Sequence, residues 1–91
     1  MYRILYTRQA RRNIAKLPLD KKRQIKKSVE RIAADPGIGK NLTGELRGLQ
    51  SYRTGMYRII YRVHRREITV LILTIGHRKD IYKQTKRKPD S

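Results

Sequence analysis

The sequence predicts a small α+β fold, in which an antiparallel or mixed sheet of about four strands carries an N-terminal helical hairpin on one face. Three patterns support this prediction. Residues 2–6 alternate as a strand does, residues 8–34 repeat apolar side chains at helical spacing, and three strand-like stretches follow residue 48. The 91 residues suffice for one domain with a modest core, which we expect to span residues 1–82.

The helical hairpin is predicted from a cap, a proline and a turn sequence. Thr7 is a suitable N-cap for a first helix from Arg8 to about Leu17, and Pro18 interrupts that helix. A second helix is expected from about Leu19 to Ala34, because a turn sequence containing proline and glycine follows it. The side chains expected to be buried in this helix share a spacing of three or four residues: Ile25, Val29, Ile32 and Ala33.

The strands are assigned from a hairpin turn and an apolar run. Gly55 and Met56 suit a two-residue type II′ turn, whose first central position needs a positive φ. Counting outward from this turn places Arg53 directly opposite Arg58 on one face, and tyrosines on the other face, which we expect the helices to cover. The run from Ile68 to Ile75 is apolar on both faces and predicts a central strand, with the first strand beside it. The arginine face is expected to be open.

Two further stretches are expected to lack regular structure. Residues 37–48 contain four glycines, so we expect a loop that Leu42, Leu46 and Leu49 hold against the core. Residues 83–91 contain four basic side chains and no apolar one, which predicts a mobile basic tail.

The composition restricts both the partner and the chemistry. The chain has 24 Lys or Arg against seven Asp or Glu, a net charge of +17, which points to a polyanionic partner such as nucleic acid or an acidic protein. Without cysteine, and with scattered carboxylates, neither a disulfide nor a metal site is expected. No apolar run approaches the ~20 residues of a membrane span, and no signal peptide is recognisable. We therefore expect a soluble cytoplasmic protein with no membrane partner.

Two arginines opposite each other on neighbouring strands predict an anion site. Like charges in this arrangement destabilise a sheet by roughly 0.2–1 kcal/mol, and an anion bound between them would reverse that effect. The arginine side chain also matches a phosphate with two parallel donors. The residues expected to contact a nucleic acid are basic and are spread over the hairpin, the second helix and the C-terminal part: Arg53, Arg62, Lys79, Lys22 and Lys26.

The order of these elements, with Tyr57-Arg58-Ile59-Ile60-Tyr61 and Gly76-His77-Arg78-Lys79-Asp80-Ile81-Tyr82, resembles the RelE/ParE superfamily of toxins from type II toxin-antitoxin systems, nearer its RelE branch. The resemblance covers nearly the whole chain. It implies a microbial-RNase-like fold and an enzyme that cleaves mRNA in the ribosomal A site, through attack of a 2′-hydroxyl on the adjacent phosphate and without a metal or cofactor. It also implies contacts with rRNA and an acidic antitoxin as partner.

The resemblance further implies which side chains act on the RNA. Arg58 and Arg78 would hold the scissile phosphate, and Tyr82 would stack on a base or assist proton transfer. Arginine stabilises charge but does not accept a proton. Well-studied ribosome-dependent members carry lysines in the hairpin strand before the turn, where this chain has Arg53-Thr54. The general base is therefore left between His77 and Tyr82.

Two other functions stay open at this point. A ParE-like toxin would inhibit DNA gyrase by binding, without RNA chemistry; the phosphate-holding arginines argue against it, because such toxins generally lack them. A noncatalytic RNA-binding protein, or a degenerate toxin, is suggested by the absence of the hairpin lysine.

Overall fold

The computed structural model describes residues 1–77, Lys79 and Ile81, and the predicted tail at 83–91 lies outside this range. Two helices and five strands follow one another along the described chain: β1 (Arg3–Tyr6), α1 (Arg8–Ala15), α2 (Leu19–Ala34), β2 (Lys40–Asn41), β3 (Gln50–Thr54), β4 (Tyr57–His64) and β5 (Thr69–His77). No helix in this part of the chain is long and apolar enough to cross a membrane.

The strands form one mixed sheet in the order β1-β5-β4-β3-β2. β1 is parallel to β5, and the other neighbours are antiparallel. The predicted α+β fold is confirmed, with β5 as the central strand beside β1. The sheet has one strand more than expected, because the short β2 within the predicted loop pairs with β3.

The first helix begins and ends for local reasons. Thr7 has an extended backbone, and its Oγ1 accepts a hydrogen bond from the Ala10 N–H at 3.0 Å, which confirms the predicted N-cap. The helix ends two residues before the predicted Leu17. The Leu17 N–H donates to the carbonyl of Ile14, a tight turn that closes the helix ahead of Pro18.

The main core lies between the helices and one face of the sheet. Its buried members come from both helices and two strands: Ala10, Ile25, Val29, Ile32, Ile59, Tyr61, Val70, Ile72 and Ile75. The four residues predicted as the buried stripe of α2 are all buried. Tyr52 and Tyr57 pack against this core, so the tyrosine face is the helix face, as predicted.

The opposite face of the sheet is partly covered, so the prediction that it would be open is wrong in this respect. Its buried residues are Leu49, Ile60 and Ile81, and Leu42, Leu46 and Leu73 pack around them. The loop leucines do hold the loop to the sheet, but on the face away from the helices. Ile81 is 0% exposed, so the chain after β5 is anchored on this face. Burying a side chain of this size contributes about 1.5–3 kcal/mol.

Tyr61 ties the loop before β2 to the sheet. Its hydroxyl donates to the carbonyl of Pro36 at 2.7 Å and accepts from the Gly39 N–H at 3.0 Å. A Cβ at position 39 would collide with this hydroxyl, so glycine is required there. Burial raises the pKa of Tyr61 to about 12; the Gly39 N–H opposes this rise, and the charge of Asp35 adds to it.

Replacing Tyr61 by Phe should lower the free energy of unfolding by about 1–3 kcal/mol, because the carbonyl of the buried Pro36 and the N–H of the half-buried Gly39 would lose their partner. The wild-type protein should also lose stability as the pH rises from 10 to about 12. In this window the unfolded tyrosine has released its proton, whereas the folded tyrosine still holds it. Urea unfolding between about pH 9 and about pH 11.5 measures both effects.

The gap between wild type and the Tyr61→Phe variant should therefore narrow with increasing pH. Tyr57→Phe is the matched control, because Tyr57 is a half-buried tyrosine on the same strand as Tyr61. We expect Tyr57→Phe to follow the wild-type pH dependence. A gap between wild type and Tyr61→Phe that stays constant across this pH range would contradict the assignment.

β5 begins at Thr69, one residue later than predicted, because Ile68 does not have an extended backbone. Its φ of +49° is the left-handed conformation, which no other non-glycine residue adopts in the described chain. A β-branched side chain is strained there, and Ile68 is 55% exposed, so burial offsets little of the strain.

Ile68→Gly should raise the free energy of unfolding by about 1 kcal/mol, because glycine adopts positive φ without steric cost. Ile38→Gly is a suitable control, since Ile38 is 39% exposed and is not among the positive-φ residues. Chemical denaturation should show stabilisation for Ile68→Gly and destabilisation for Ile38→Gly. Equal losses in the two variants would show that Ile68 carries no strain.

Candidate anion-binding site

The turn between β3 and β4 has the predicted geometry and is held against α2. Gly55 has a φ of +61°, and Arg53 pairs with Arg58 as counted from the turn. The Gln24 side chain of α2 donates from Nε2 to Thr54 Oγ1 at 3.1 Å. A Cβ on Gly55 would come within 2.6 Å of the same amide nitrogen. The helix therefore fixes the turn next to the arginine pair.

The two arginines lie on the face of the sheet away from the helices. Tyr52 and Tyr57, their neighbours along the strands, pack against the helix-side core, and side chains alternate between faces. Arg53 is exposed and Arg58 is half-buried. On its other side Arg58 pairs with Gly76 of β5, which adds no side chain to this face. The pair thus presents two guanidinium groups from adjacent strands, an arrangement that suits a phosphate.

Arg62 shares this face but is not part of the pair. It lies four residues further along β4, about 13 Å from Arg58 at the usual strand rise, and it is exposed. Its register partner is Leu71. Arg62 can add to the positive potential over this face, but it does not reach an anion held between Arg53 and Arg58 at hydrogen-bonding distance.

His77 lies on the other side of the sheet. It pairs with Tyr57, and the two rings meet edge to face with centroids 6.4 Å apart. Its Nδ1 accepts a long hydrogen bond of 3.4 Å from the Lys79 N–H. The structure does not bring the His77 ring to the arginine pair, although the sequence made it a candidate base.

The predicted RNA-contacting lysines of α2 belong to a second basic surface, on the helix layer. Lys22 and Lys26 are exposed and lie one helical turn apart. All the basic residues of the two helices except the half-buried Lys21 are exposed: Arg8, Arg11, Arg12, Lys22, Arg23, Lys26, Lys27 and Arg31. The sheet separates this surface from the arginine pair. Lys79 is exposed beyond the end of β5.

Arg78 and Tyr82 lie outside the described residues, whereas Gly76 and Ile81 are described. Gly76 pairs with Arg58, and Ile81 is buried in one cluster with Ile60, two residues along β4 from Arg58. This anchoring role of Ile81 was not predicted from the sequence. The available signal was one branched apolar residue within an otherwise polar C-terminal stretch.

Gln24, which holds the turn, was not predicted from the sequence either. Its signal was an uncharged polar residue within the basic run Lys21-Lys22-Arg23-Gln24-Ile25-Lys26-Lys27. As to metals, no three His, Asp or Glu side chains are grouped to hold an ion within residues 1–77, Lys79 and Ile81.

Arg53→Gln should raise the free energy of unfolding by roughly 0.2–1 kcal/mol at low ionic strength, because it removes one of two facing like charges. The gain should shrink as added salt screens the pair. Inorganic phosphate should stabilise the wild type more than the variant. Arg66→Gln, at an exposed position in the β4–β5 turn, is the matched control. Urea unfolding that shows equal effects for both substitutions would argue against repulsion within the pair.

Proteins related to this chain are toxins. Residues 4–86 match the family model described as the ParE-like toxin of type II bacterial toxin-antitoxin systems. The chain is 39% identical over 88 residues to Toxin RelG of Mycobacterium tuberculosis, covering 91% of this chain and 98% of that protein.

Solved structures of toxins also match this chain. A chain of the toxin-antitoxin complex RelBE2 from Mycobacterium tuberculosis superposes with a TM-score of 0.79 at 35% identity, covering 84% of this chain and 96% of that one. The isolated RelE toxin of E. coli shares the fold, with a TM-score of 0.74 at 19% identity and coverage of 98% and 99%. The resemblance inferred from the sequence is thereby confirmed, and the chain belongs to the RelE family of toxins of type II toxin-antitoxin systems.

Proposed function

We propose that this toxin is a ribosome-dependent endoribonuclease that cleaves mRNA in the A site. The proposal rests on the facing pair Arg53 and Arg58. This pair lies beside Gly76, which has no side chain. A phosphate between the two guanidinium groups would turn a repulsive pair into an attractive site. The membership in the RelE family supports the same activity.

In the proposed reaction, the 2′-oxygen of a ribose attacks the adjacent phosphorus. The bond from phosphorus to the 5′-oxygen of the next nucleotide breaks, which leaves a 2′,3′-cyclic phosphate and a 5′-hydroxyl. The 2′-hydroxyl loses a proton and the leaving oxygen gains one. Arg58, joined by Arg78 and assisted by Arg53, would stabilise the negative charge that grows on the phosphate. These arginines stay protonated and therefore transfer no proton.

Proton transfer is assigned to Tyr82 in this proposal. His77 was the other candidate, but its ring is on the helix side of the sheet and meets Tyr57 there. A phenol surrounded by positive charge has a lowered pKa, which makes proton transfer easier. Stacking of the Tyr82 ring on a base is a compatible second role.

The helix layer supplies a separate contact in this proposal. Its exposed basic residues, among them Lys22 and Lys26, would bind the phosphate backbone of rRNA without reading its sequence. Lys79 and Arg62 would add contacts around the mRNA. Binding to the ribosome should then weaken with salt, whereas the cleavage step on a bound ribosome should depend mainly on the arginine face.

We further propose an acidic antitoxin as the partner. Chains related to this one were solved within the RelBE2 complex and within the archaeal RelE-RelB complex of Pyrococcus horikoshii, which matches at 26% identity with a TM-score of 0.65. A net charge of +17 favours a partner of opposite charge. Such a partner would inhibit the toxin by covering the arginine face or by displacing the segment that contains Tyr82.

Arg58→Ala should reduce cleavage of ribosome-bound mRNA by about 100-fold or more, because one donor to the transition state is lost. The assay is single-turnover cleavage on programmed ribosomes, with the ends mapped by primer extension. Arg66→Ala, at an exposed position in the β4–β5 turn, is the control and should retain a rate within about threefold. Tyr82→Phe should lower the rate, and His77→Gln should leave it nearly unchanged.

Three results would contradict the proposal. Messages that stay intact while translation continues normally after induction of the toxin would overturn it. Because the matching family model is named for ParE-like toxins, DNA supercoiling by gyrase is the second assay, and inhibition there would favour a gyrase inhibitor. Growth inhibition that survives both Arg58→Ala and Arg78→Ala would point to a noncatalytic mode of action.

A further inference from the structure

β5 extends beyond the strand that pairs with one of its edges. β1 ends at Tyr6, opposite Ile72, whereas β5 continues to His77. Within the described part of the chain, the residues of β5 after Ile72 therefore lack a strand on that edge. Their backbone groups still need partners, because Thr74 and Ile75 are buried.

The start of the first helix supplies these partners. The Thr7 N–H donates to the carbonyl of Ile72 at 3.0 Å, and Thr7 Oγ1 donates to the carbonyl of Leu73 at 2.6 Å. Asn13, further along α1, accepts two hydrogen bonds on Oδ1. They come from the Ile75 N–H at 2.9 Å and from Thr74 Oγ1 at 3.0 Å. Side chains of the helix and its cap thus replace the missing strand.

The same stretch of β5 contains an irregularity in its pairing with β4. Ile60 pairs with Thr74 and Tyr61 pairs with Ile72, so the register between these described strands skips Leu73. A bulge of this kind bends the strand and redirects the residues beyond it. Those residues include Gly76, which lies against Arg58, and His77 at the end of the strand.

We infer that Asn13 is a positioning residue for the arginine face. Its side-chain oxygen fixes the bulge of β5, and the bulge sets where Gly76 lies against Arg58 and how the chain leaves the sheet. The inference rests on the proposed function, because the placement matters for the rate only if the arginine face cleaves RNA. Both contacts of Asn13 use Oδ1 as an acceptor, so an aspartate carboxylate can replace it.

The test compares Asn13→Ala with Asn13→Asp. The first readout is hydrogen exchange of single amides by NMR. Exchange of the Ile75 amide should accelerate roughly tenfold in Asn13→Ala and stay near the wild-type rate in Asn13→Asp. Asn41→Asp, an exposed change on β2, controls for the added negative charge and should leave this amide unaffected.

The second readout is cleavage of ribosome-bound mRNA, at a temperature where circular dichroism shows each variant fully folded. Asn13→Ala should lower kcat about 10- to 100-fold and change KM less than about threefold, since the ribosome-binding surface is untouched. Asn13→Asp should restore kcat to within about threefold of wild type. A residue that served only stability would show normal kcat once the variant is folded. If Asn13→Ala does not fold, Asn13→Gln, which displaces the oxygen by one methylene, should show the same split between kcat and KM.

Two results overturn the inference: an Asn13→Ala variant with wild-type kcat, or an Asn13→Asp variant that restores the Ile75 amide but not kcat. A wild-type toxin that does not cleave RNA defeats the proposed function separately. In that case the NMR chemical shift of the Gly76 amide tests whether Asn13 positions this residue. A chemical-shift change in Asn13→Ala that Asn13→Asp reverses supports it, and an unchanged Gly76 resonance overturns it.

Discussion

β4 is paired on both sides, so each of its side chains has to lie on one of two faces, and the rest of the structure depends on that alternation. Ile59, Tyr61 and Val63 face the helix-side core, whereas Arg58, Ile60 and Arg62 face the other way. A slip of one residue in the pairing register of β4 would point its arginines towards the apolar core, where an unpaired charge costs several kcal/mol. The turn at Gly55 and the buried ring of Tyr61 prevent that slip.

The helices contribute to the candidate site through two uncharged amide side chains. Gln24 of α2 reaches the turn beside Arg53, and Asn13 of α1 reaches the bulge that precedes Gly76. Each amide lies between the apolar stripe and the basic surface of its helix. The helices therefore do three things with three kinds of residue: apolar side chains bury the sheet, amides fix its register at one end, and basic residues remain exposed for a polyanion.

The two faces of the sheet differ in what they leave to solvent. The helix side is closed by a continuous core, and its positive charge is on the outer helical surface. The opposite face has a smaller apolar cluster around Ile60, and the arginine pair lies next to it. Basic surfaces on both sides suit a protein that contacts RNA from two directions, which is what binding between rRNA and mRNA in the proposed function would require.

Local chemistry in the sequence determined the helix limits at Thr7 and Ala34, the hairpin turn at Gly55 and the facing of Arg53 and Arg58. Caps and two-residue turns act over a few residues, so the sequence alone carries their geometry. Only the tertiary structure decided the bulge at Leu73, the burial of Ile81 and the side on which His77 lies. It also decided the role of Asn13, whose partners are 61 and 62 residues away along the chain. These features depend on which strands meet and in which register, and periodicity within one segment does not contain that information.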